Sequence, residues 1–560
     1  GNYAANYWEN HTSDFRKVVQ TYKYDGSPYY RSPQKSTLND QTSRNLRNLL
    51  TASATFDKQF NDHGIKAMVG YQQEDHRYDM HKGYRENYAF PDYPVLDAGG
   101  EENQKAYGNS YEWSLRSIFG RINYDYQGKY LFEANMRYDG SSRFAEGNKW
   151  GIFPSVSAGW RISEEAFWEP IRNIIDNLKF RASWGQLGNQ NVMNADNSAI
   201  DPYPFSSNVN LDTKYIFDKT ISSGAAITNM ANRKITWETT TSTDIGIDAT
   251  LFGKLNITTD YFYKVTDDIL MKLNVPLIIG MDAPSQNAGK MENRGWEVSL
   301  SYADQVGDFN YRASFNISDV RNKILDMRGV NQTGLTVNRE GHEMYSIYGL
   351  EAIGYIQPED YDADGNYLGA TQYGNFGPGD IKYKDQNGDG VINTSDYKII
   401  GGTIPRYTFG LSLYGDYKGF DLSMLFQGVG KADGYINGQG IQTFIEGGTV
   451  QEQHKDYWTP ENRNAKFPRL AFNETNNMQN SSFWMKNAAY IRLKNVQLGY
   501  ALPKNVLRKT PISYLRFYVS GDNLLTIDSF WDGFDVEAPI GNGGYYPQLK
   551  TISFGVDLKF

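Results

Sequence analysis

The sequence predicts an all-β fold, a transmembrane antiparallel β-barrel to which this chain contributes about sixteen strands. Three observations predict it. Apolar and polar residues alternate with period two in repeated segments of about ten residues. The connections between those segments alternate between short and long. Aromatic residues make up 15% of the chain, with 42 Tyr, 11 Trp and 29 Phe, as the interfacial girdles of a membrane barrel require.

The totals fit the same class. At 560 residues the chain is longer than an ordinary single domain, so several domains or one very large sheet is expected. No stretch approaches the roughly 18–20 apolar residues of a spanning helix. The mean hydropathy of −0.62 does not contradict a barrel, because only alternate strand residues meet lipid. The absence of cysteine excludes a disulfide framework and a thiolate metal site. A net charge of −9 argues against nucleic-acid binding as the main activity. The opening "GNYAANYWENHTSDF" shows no basic-then-apolar leader, so any signal peptide is expected outside this sequence.

The strands are justified by their faces. In "TISFGVDLKF" (551–560), Ile552, Phe554, Val556, Leu558 and Phe560 fall on one face and Thr551, Ser553, Gly555, Asp557 and Lys559 on the other. Tyr130–Tyr138, Leu178–Trp184, Leu255–Tyr263, Phe309–Ile317, Phe409–Tyr417, Phe420–Phe426 and Leu515–Val519 repeat the pattern. A nine-residue strand tilted about 40° spans roughly 23 Å, close to the apolar band of a barrel. In "YIRLKNVQLGY", Ile491 and Leu493 are out of phase with Val496, Leu498 and Tyr500, which predicts a β-bulge near Lys494–Asn495. Counting back from Phe560 places the first strand near 14–24.

Short connections are predicted at 61–62, 127–128, 252–253, 303–307 and 418–419, with longer members at 164–176 (one helical turn) and 502–513. Long ones are predicted at 79–108, 140–149, 188–233, 267–290, 321–404, 431–486 and 526–548. Short turns on one side and long loops on the other are the periplasmic turns and extracellular loops of an outer-membrane barrel.

The chain resembles the SusC/RagA family of TonB-dependent outer-membrane transporters of Bacteroidetes. The resemblance is carried by "LRSIFGRINYDYQGKYLFEANMRYDGSSRF" (115–144), "WGIFPSVSAGWRISEE" (150–165), "LKFRASWGQLGNQ" (178–190), "NRGWEVSLSY" (293–302), "GDIKYKDQNGDGVI" (379–392), "IGGTIPRYTFGLSL" (400–413), "IRLKNVQLGYALP" (491–503) and "SGDNLLTI" (520–527). It implies the C-terminal part of a barrel of about 22 strands with a plugged lumen. It also implies import of oligosaccharide or peptide, a SusD-like surface lipoprotein as lid, and energy from TonB-ExbB-ExbD through a plug region outside this sequence. Set against about 22 strands, the first strand here is expected to present an edge that other chain covers, since unpaired backbone is too costly in hydrocarbon. The alternatives are a passive outer-membrane porin and a secreted β-rich glycan-binding or glycan-cleaving protein with a calcium loop.

No catalytic constellation is found. The six His (11, 63, 76, 81, 342 and 454) are scattered without metalloprotease spacing, and "GVGKADG" (428–434) lacks the Ser or Thr of a phosphate loop. An enzyme is not expected, nor an organic cofactor. The candidate metal site is "DQNGDGVINTSD" (385–396). Asp385, Asn387 and Asp389 stand at positions one, three and five of an EF-hand-like loop, Val391 offers its carbonyl at seven, Asn393 stands at nine and Asp396 at twelve. The flanks look extended, so Ca²⁺ is expected as a static staple of the 321–404 loop; the alternative is a polar turn that binds nothing. Loop aromatics in "YRENYAFPDYP" (84–94) and "DSFWDGFD" (528–535) either stack on cargo or pack the loops. Phe560, a terminal aromatic, resembles the assembly signal of outer-membrane barrels.

Overall fold

The computed structural model describes residues 1–193, 200–273, 275–330, 334–472 and 475–560, so parts of the long connections predicted at 188–233, 267–290, 321–404 and 431–486 lie outside the described residues. Sixteen strands form one sheet in sequence order. They are β1 (Asn2–Arg16), β2 (Thr37–Phe60), β3 (His63–Glu86), β4 (Gly100–Tyr126), β5 (Tyr130–Ser141), β6 (Trp150–Arg161), β7 (Ile175–Asn189) and β8 (Glu238–Leu251). The second eight are β9 (Leu255–Lys272), β10 (Ser285–Val306), β11 (Phe309–Asp326), β12 (Arg406–Tyr417), β13 (Phe420–Lys431), β14 (Tyr490–Ala501), β15 (Tyr514–Asp528) and β16 (Thr551–Lys559). Each strand lies beside its neighbours in sequence, an antiparallel meander with β1 and β16 at its two ends.

Register puts like faces together. Along β15 and β16, Val519 opposes Phe554, Phe517 opposes Val556 and Leu515 opposes Leu558, while Ser520 opposes Ser553 and Arg516 opposes Asp557. The apolar row Ile552, Phe554, Val556 and Leu558 is 45% to 84% exposed, which is how a lipid-facing row looks in protein atoms alone. The predicted bulge is present: Leu425 pairs with Asn495 and Phe426 with Leu493, leaving Lys494 as the extra residue. Lys418 and Gly419 both take positive φ, 48° and 92°, the left-handed pair that a two-residue hairpin turn demands.

Two expectations need correction. The first strand runs over Asn2–Arg16, earlier than 14–24; residues 19–32 form a separate small hairpin of Val19–Tyr22 with Pro28–Ser32. Several strands also extend well beyond a membrane's thickness, so some of the long connections are shorter than predicted. The one expected at 79–108 shrinks to 87–99, because the β3–β4 ladder carries on through Tyr84 and Lys105. Outside the apolar band the strand residues are polar on both faces, and the period-two signal fades while the backbone pairing does not. Short helical turns appear at Ile162–Glu164, Ala166–Ile171 and Lys504–Leu507, inside the two longer short-side connections.

The chain divides into two compact units. The first, Gly1–Ala158 with Trp184–Thr241 and Asp267–Gly289, has a small core of Phe144, Phe153, Val192, Ile235 and Trp237. The second, Gly159–Ser183 with Ser242–Thr266 and Lys290–Phe560, has a larger one. Ile347, Ile381, Tyr383, Tyr435, Phe467, Trp484 and Trp531 are buried there, and all belong to the long connections rather than to the sixteen strands. Those connections are folded structure with an interior of their own.

Candidate functional site

The sheet face opposite the apolar rows is ion-paired. On β7, Arg181 donates to Asp248 at 2.8 and 3.2 Å and reaches Asp260 at 2.7 Å, with Asp244 at 3.8 Å. On β15, Arg516 forms a bidentate pair with Asp421 at 2.8 and 2.6 Å and also donates to Asp557 and Gln497, each at 2.9 Å. Guanidinium forks suit this role because they serve several carboxylates across adjacent strands at fixed geometry. At these two clusters the charges of the polar wall are mutually satisfied.

One part of that wall, in the first unit, is built differently. His76 and Tyr78 on β3 lie across from Trp113 and Tyr111 on β4. The rings stack in pairs, Tyr78 on Tyr111 at 4.9 Å and His76 on Trp113 at 5.3 Å. Arg143, from the β5–β6 connection, caps the stack with its guanidinium 4.7 Å from the Trp113 ring centre. It is only 5% exposed, donates to Asn191 at 2.6 Å, and its Nε has no hydrogen-bond acceptor. Burial holds its pKa below the ordinary guanidinium value. A half-satisfied buried guanidinium beside aromatic faces is chemically suited to a ligand with both rings or apolar faces and an oxygen acceptor. Sequence reasoning missed this cluster. Its signal was the i, i+2 spacing of His76 and Tyr78 and of Tyr111 and Trp113, aromatic pairs on a face that is otherwise polar.

The loop aromatics separate into two uses. Phe530 and Trp531 of "DSFWDGFD" are buried in the loop core. In "YRENYAFPDYP", Tyr88 packs edge-on against Phe15, whereas Phe90 and Tyr93 are each 70% exposed. Phe560, after the last strand, is 83% exposed. The loop core is held by Asp380, which is fully buried and accepts two guanidinium bonds of 2.7 Å from Arg469, one of 2.8 Å from Asn477 and one of 2.8 Å from the Gly377 amide.

The predicted cation loop is closed by its own hydrogen bonds. Asp385 accepts from the amides of Gly388 at 2.7 Å and Gly390 at 2.9 Å, and Gly390 takes φ 81°, as position six of such a loop requires. Asn387, Asp389 and Asn393 each accept from the amide two residues on. Asp396 is fully buried, and its two oxygens accept from the amides of Gln386 and Asn393 at 2.8 and 2.9 Å. Among the described residues no group of three or more His, Asp or Glu side chains converges as a metal-holding cluster. The oxygens at 385, 387, 389, 391 and 393 are of the type a hard cation takes; Asp396 is turned inward and braces the loop.

Comparison with known proteins places this architecture. The family model described as TonB dependent receptor-like, beta-barrel, matches residues 1–524. The chain belongs to that family. The family is one of outer-membrane barrels, so the alternating strands span the outer membrane with their apolar rows toward lipid. TonB-dependent receptor P3 of Formosa agariphila is 31% identical over 555 residues, covering 92% of this chain and 53% of that protein. TonB-dependent receptor SusC of Bacteroides thetaiotaomicron is 28% identical over 477 residues, covering 80% of this chain and 44% of that protein. The chain thus spans about half the length of the curated relatives it matches. The solved RagAB peptide transporter superposes with a TM-score of 0.82 at 23% identity, over 100% of this chain and 59% of its own, and shows the same fold.

Glu351 ties the cation loop to the folded connections and yields a pH prediction. Its carboxylate accepts from Lys398 at 2.6 Å and Gln386 at 2.8 Å, with Lys384 at 3.5 Å, and these partners hold its pKa down to about 2 from an ordinary 4.5. A depressed carboxylate stabilises the fold fully above its unfolded pKa and loses that contribution as pH falls through the folded one. Amide exchange in residues 384–398 should therefore rise as pH drops from 4.5 toward 2, after correction for intrinsic rates. Glu351→Gln should raise exchange at neutral pH and flatten the dependence.

Proposed function

We propose that this chain is the wall and extracellular-loop portion of a SusC-like, TonB-dependent importer of oligosaccharide or peptide. In this reading it makes and breaks no covalent bond. A SusD-like surface lipoprotein delivers cargo over the folded loops, and TonB-ExbB-ExbD supplies energy through a plug region outside this sequence. The observation that carries the reading is the aromatic and guanidinium cluster of Tyr78, Tyr111, His76, Trp113 and Arg143 on the polar wall, in a chain of this family. Stacking rings grip sugar faces or peptide side chains, and the Arg143 Nε offers a donor to a hydroxyl or carboxylate. The Arg181 and Arg516 clusters elsewhere on the wall are paired internally and so offer cargo little charge to bind.

Uptake of the cognate nutrient by whole cells tests this. Trp113→Ala and Arg143→Gln should each lower uptake by about ten-fold, the scale of one lost stacking or charged contact, with the same amount of assembled barrel. Uptake should also stop in cells lacking TonB. Uptake that persists without TonB is the result of a passive porin.

We propose in addition that Ca²⁺ binds the 385–396 loop through Asp385, Asn387, Asp389, Asn393 and the Val391 carbonyl, with Asp396 orienting the loop. The spacing of oxygen donors and the positive φ of Gly390 support it. Chelation should raise amide exchange in 385–396 and leave β12 and β13 protected, and Ca²⁺ should reverse it. No change on chelation excludes the ion and leaves a hydrogen-bonded turn.

A further inference from the structure

At the extracellular end of β10 and β11, the outward face changes from apolar to cationic. Below that point Val298 opposes Ile317 and Leu300 opposes Phe315, a lipid-facing band. Continuing up the same face, Trp296 opposes Asp319, then Arg294 opposes Arg321, then Glu292 opposes Lys323. Twelve residues separate Val306, the last paired residue before the periplasmic turn, from Arg294. At about 3.3 Å per residue and a tilt of about 40° they rise roughly 30 Å, just past an apolar band about 25 Å tall. Arg294 and Arg321 therefore stand at the level of outer-leaflet headgroups, one step above an interfacial Trp.

The charges there are poorly compensated. Two guanidinium groups directly opposite each other on neighbouring strands repel. Asp319, the nearest carboxylate, is committed to Arg406 by a bidentate pair that includes a 2.6 Å bond, and it stands 3.8 Å from Arg321. Among the described residues neither Arg294 nor Lys323 makes an ion pair. Glu292 accepts the Tyr263 hydroxyl at 3.1 Å, and Asp433 accepts the Gly402 amide at 3.0 Å. The two strands β11 and β12 also part at this point. The β11–β12 ladder ends at Ser318 and Thr408, while β11 continues to Asp326. A cavity of about 640 Å³ occupies the notch, lined by Arg294, Arg321, Lys323, Arg406 and Lys431 against Glu292, Glu343 and Asp433.

We propose that this notch binds the phosphorylated headgroup of an outer-leaflet glycolipid. The face is the lipid-facing one and the height is that of the headgroups, so the anion is supplied by the membrane rather than by cargo in the lumen. A phosphate ester bearing one to two negative charges bridges Arg294 and Arg321 and removes the repulsion between them. Lys323 lies two register pairs further from the apolar band, on the same face, within reach of a second phosphate or a sugar acid on the same headgroup.

Native mass spectrometry of the intact protein with added bis-phosphorylated lipid A tests the assignment. The protein should carry the lipid, and R294Q/R321Q should reduce the bound fraction about ten-fold, as loss of charge-assisted bonds implies. R294K/R321K should retain binding, and dephosphorylated lipid A should bind no better to the parent than to R294Q/R321Q. Heat-modifiable mobility on gels should show all variants assembled to the same extent. Equal lipid retention by the parent and R294Q/R321Q, or equal binding of phosphorylated and dephosphorylated lipid, overturns the proposal. Displacement of lipid A by equimolar inorganic phosphate would show a site for free phosphate and overturn the lipid source.

Discussion

Hydrocarbon offers no hydrogen-bond partner to a peptide group, and the rest of this structure depends on that. Every backbone N–H and C=O within the membrane has to be matched by a neighbouring strand, which dictates an antiparallel meander with each strand beside its sequence neighbours. The meander in turn fixes the period-two pattern. One set of side chains must satisfy lipid, as Phe554 and Val556 do. The other can hold Arg516, Asp421 and Asp557 in a paired array. The polar wall is a consequence of spanning with strands.

Above the membrane the constraint is lifted, and a different force organises the chain. The long connections of the second unit bury Trp484, Trp531, Phe467, Tyr383 and Tyr435 in water-excluded contact, a soluble-type core. Asp380 and Arg469 set its polar centre. Removing one member of such a buried pair typically costs about 3–5 kcal/mol, because the other charge is left without a partner. Arg492 joins this loop core to the wall by pairing with Asp535 at 3.0 Å and Glu537 at 2.7 Å, both in the last long connection.

Much of this was legible in the sequence where the physics is local. The strand count and the bulge at Lys494 followed from side-chain alternation, because lipid enforces that alternation residue by residue. Strand ends were misread by up to about eight residues where β3 and β4 run on beyond the membrane, since ladder hydrogen bonds there need no apolar face to continue. The loop core was not legible, because Trp484 and Trp531 lie 47 residues apart and meet only through tertiary folding. The Trp113 and Arg143 cluster was half visible. Its aromatic spacing stood in the sequence, but the arrival of Arg143 from a loop did not. The cationic notch depends on where the β11–β12 ladder stops, a property of register rather than of composition.

The central claim is that one face of these strands meets lipid and the other lines water. The chain has no cysteine, so single cysteines with nitroxide labels can be introduced along β16 without removing any native thiol. Collision accessibility to oxygen, which concentrates in lipid, and to an aqueous nickel chelate should alternate strictly for the barrel in bilayers. Oxygen should dominate at 552, 554, 556 and 558, and nickel at 553, 555 and 557. Equal accessibility at odd and even positions, or nickel dominating at all of them, would contradict the account.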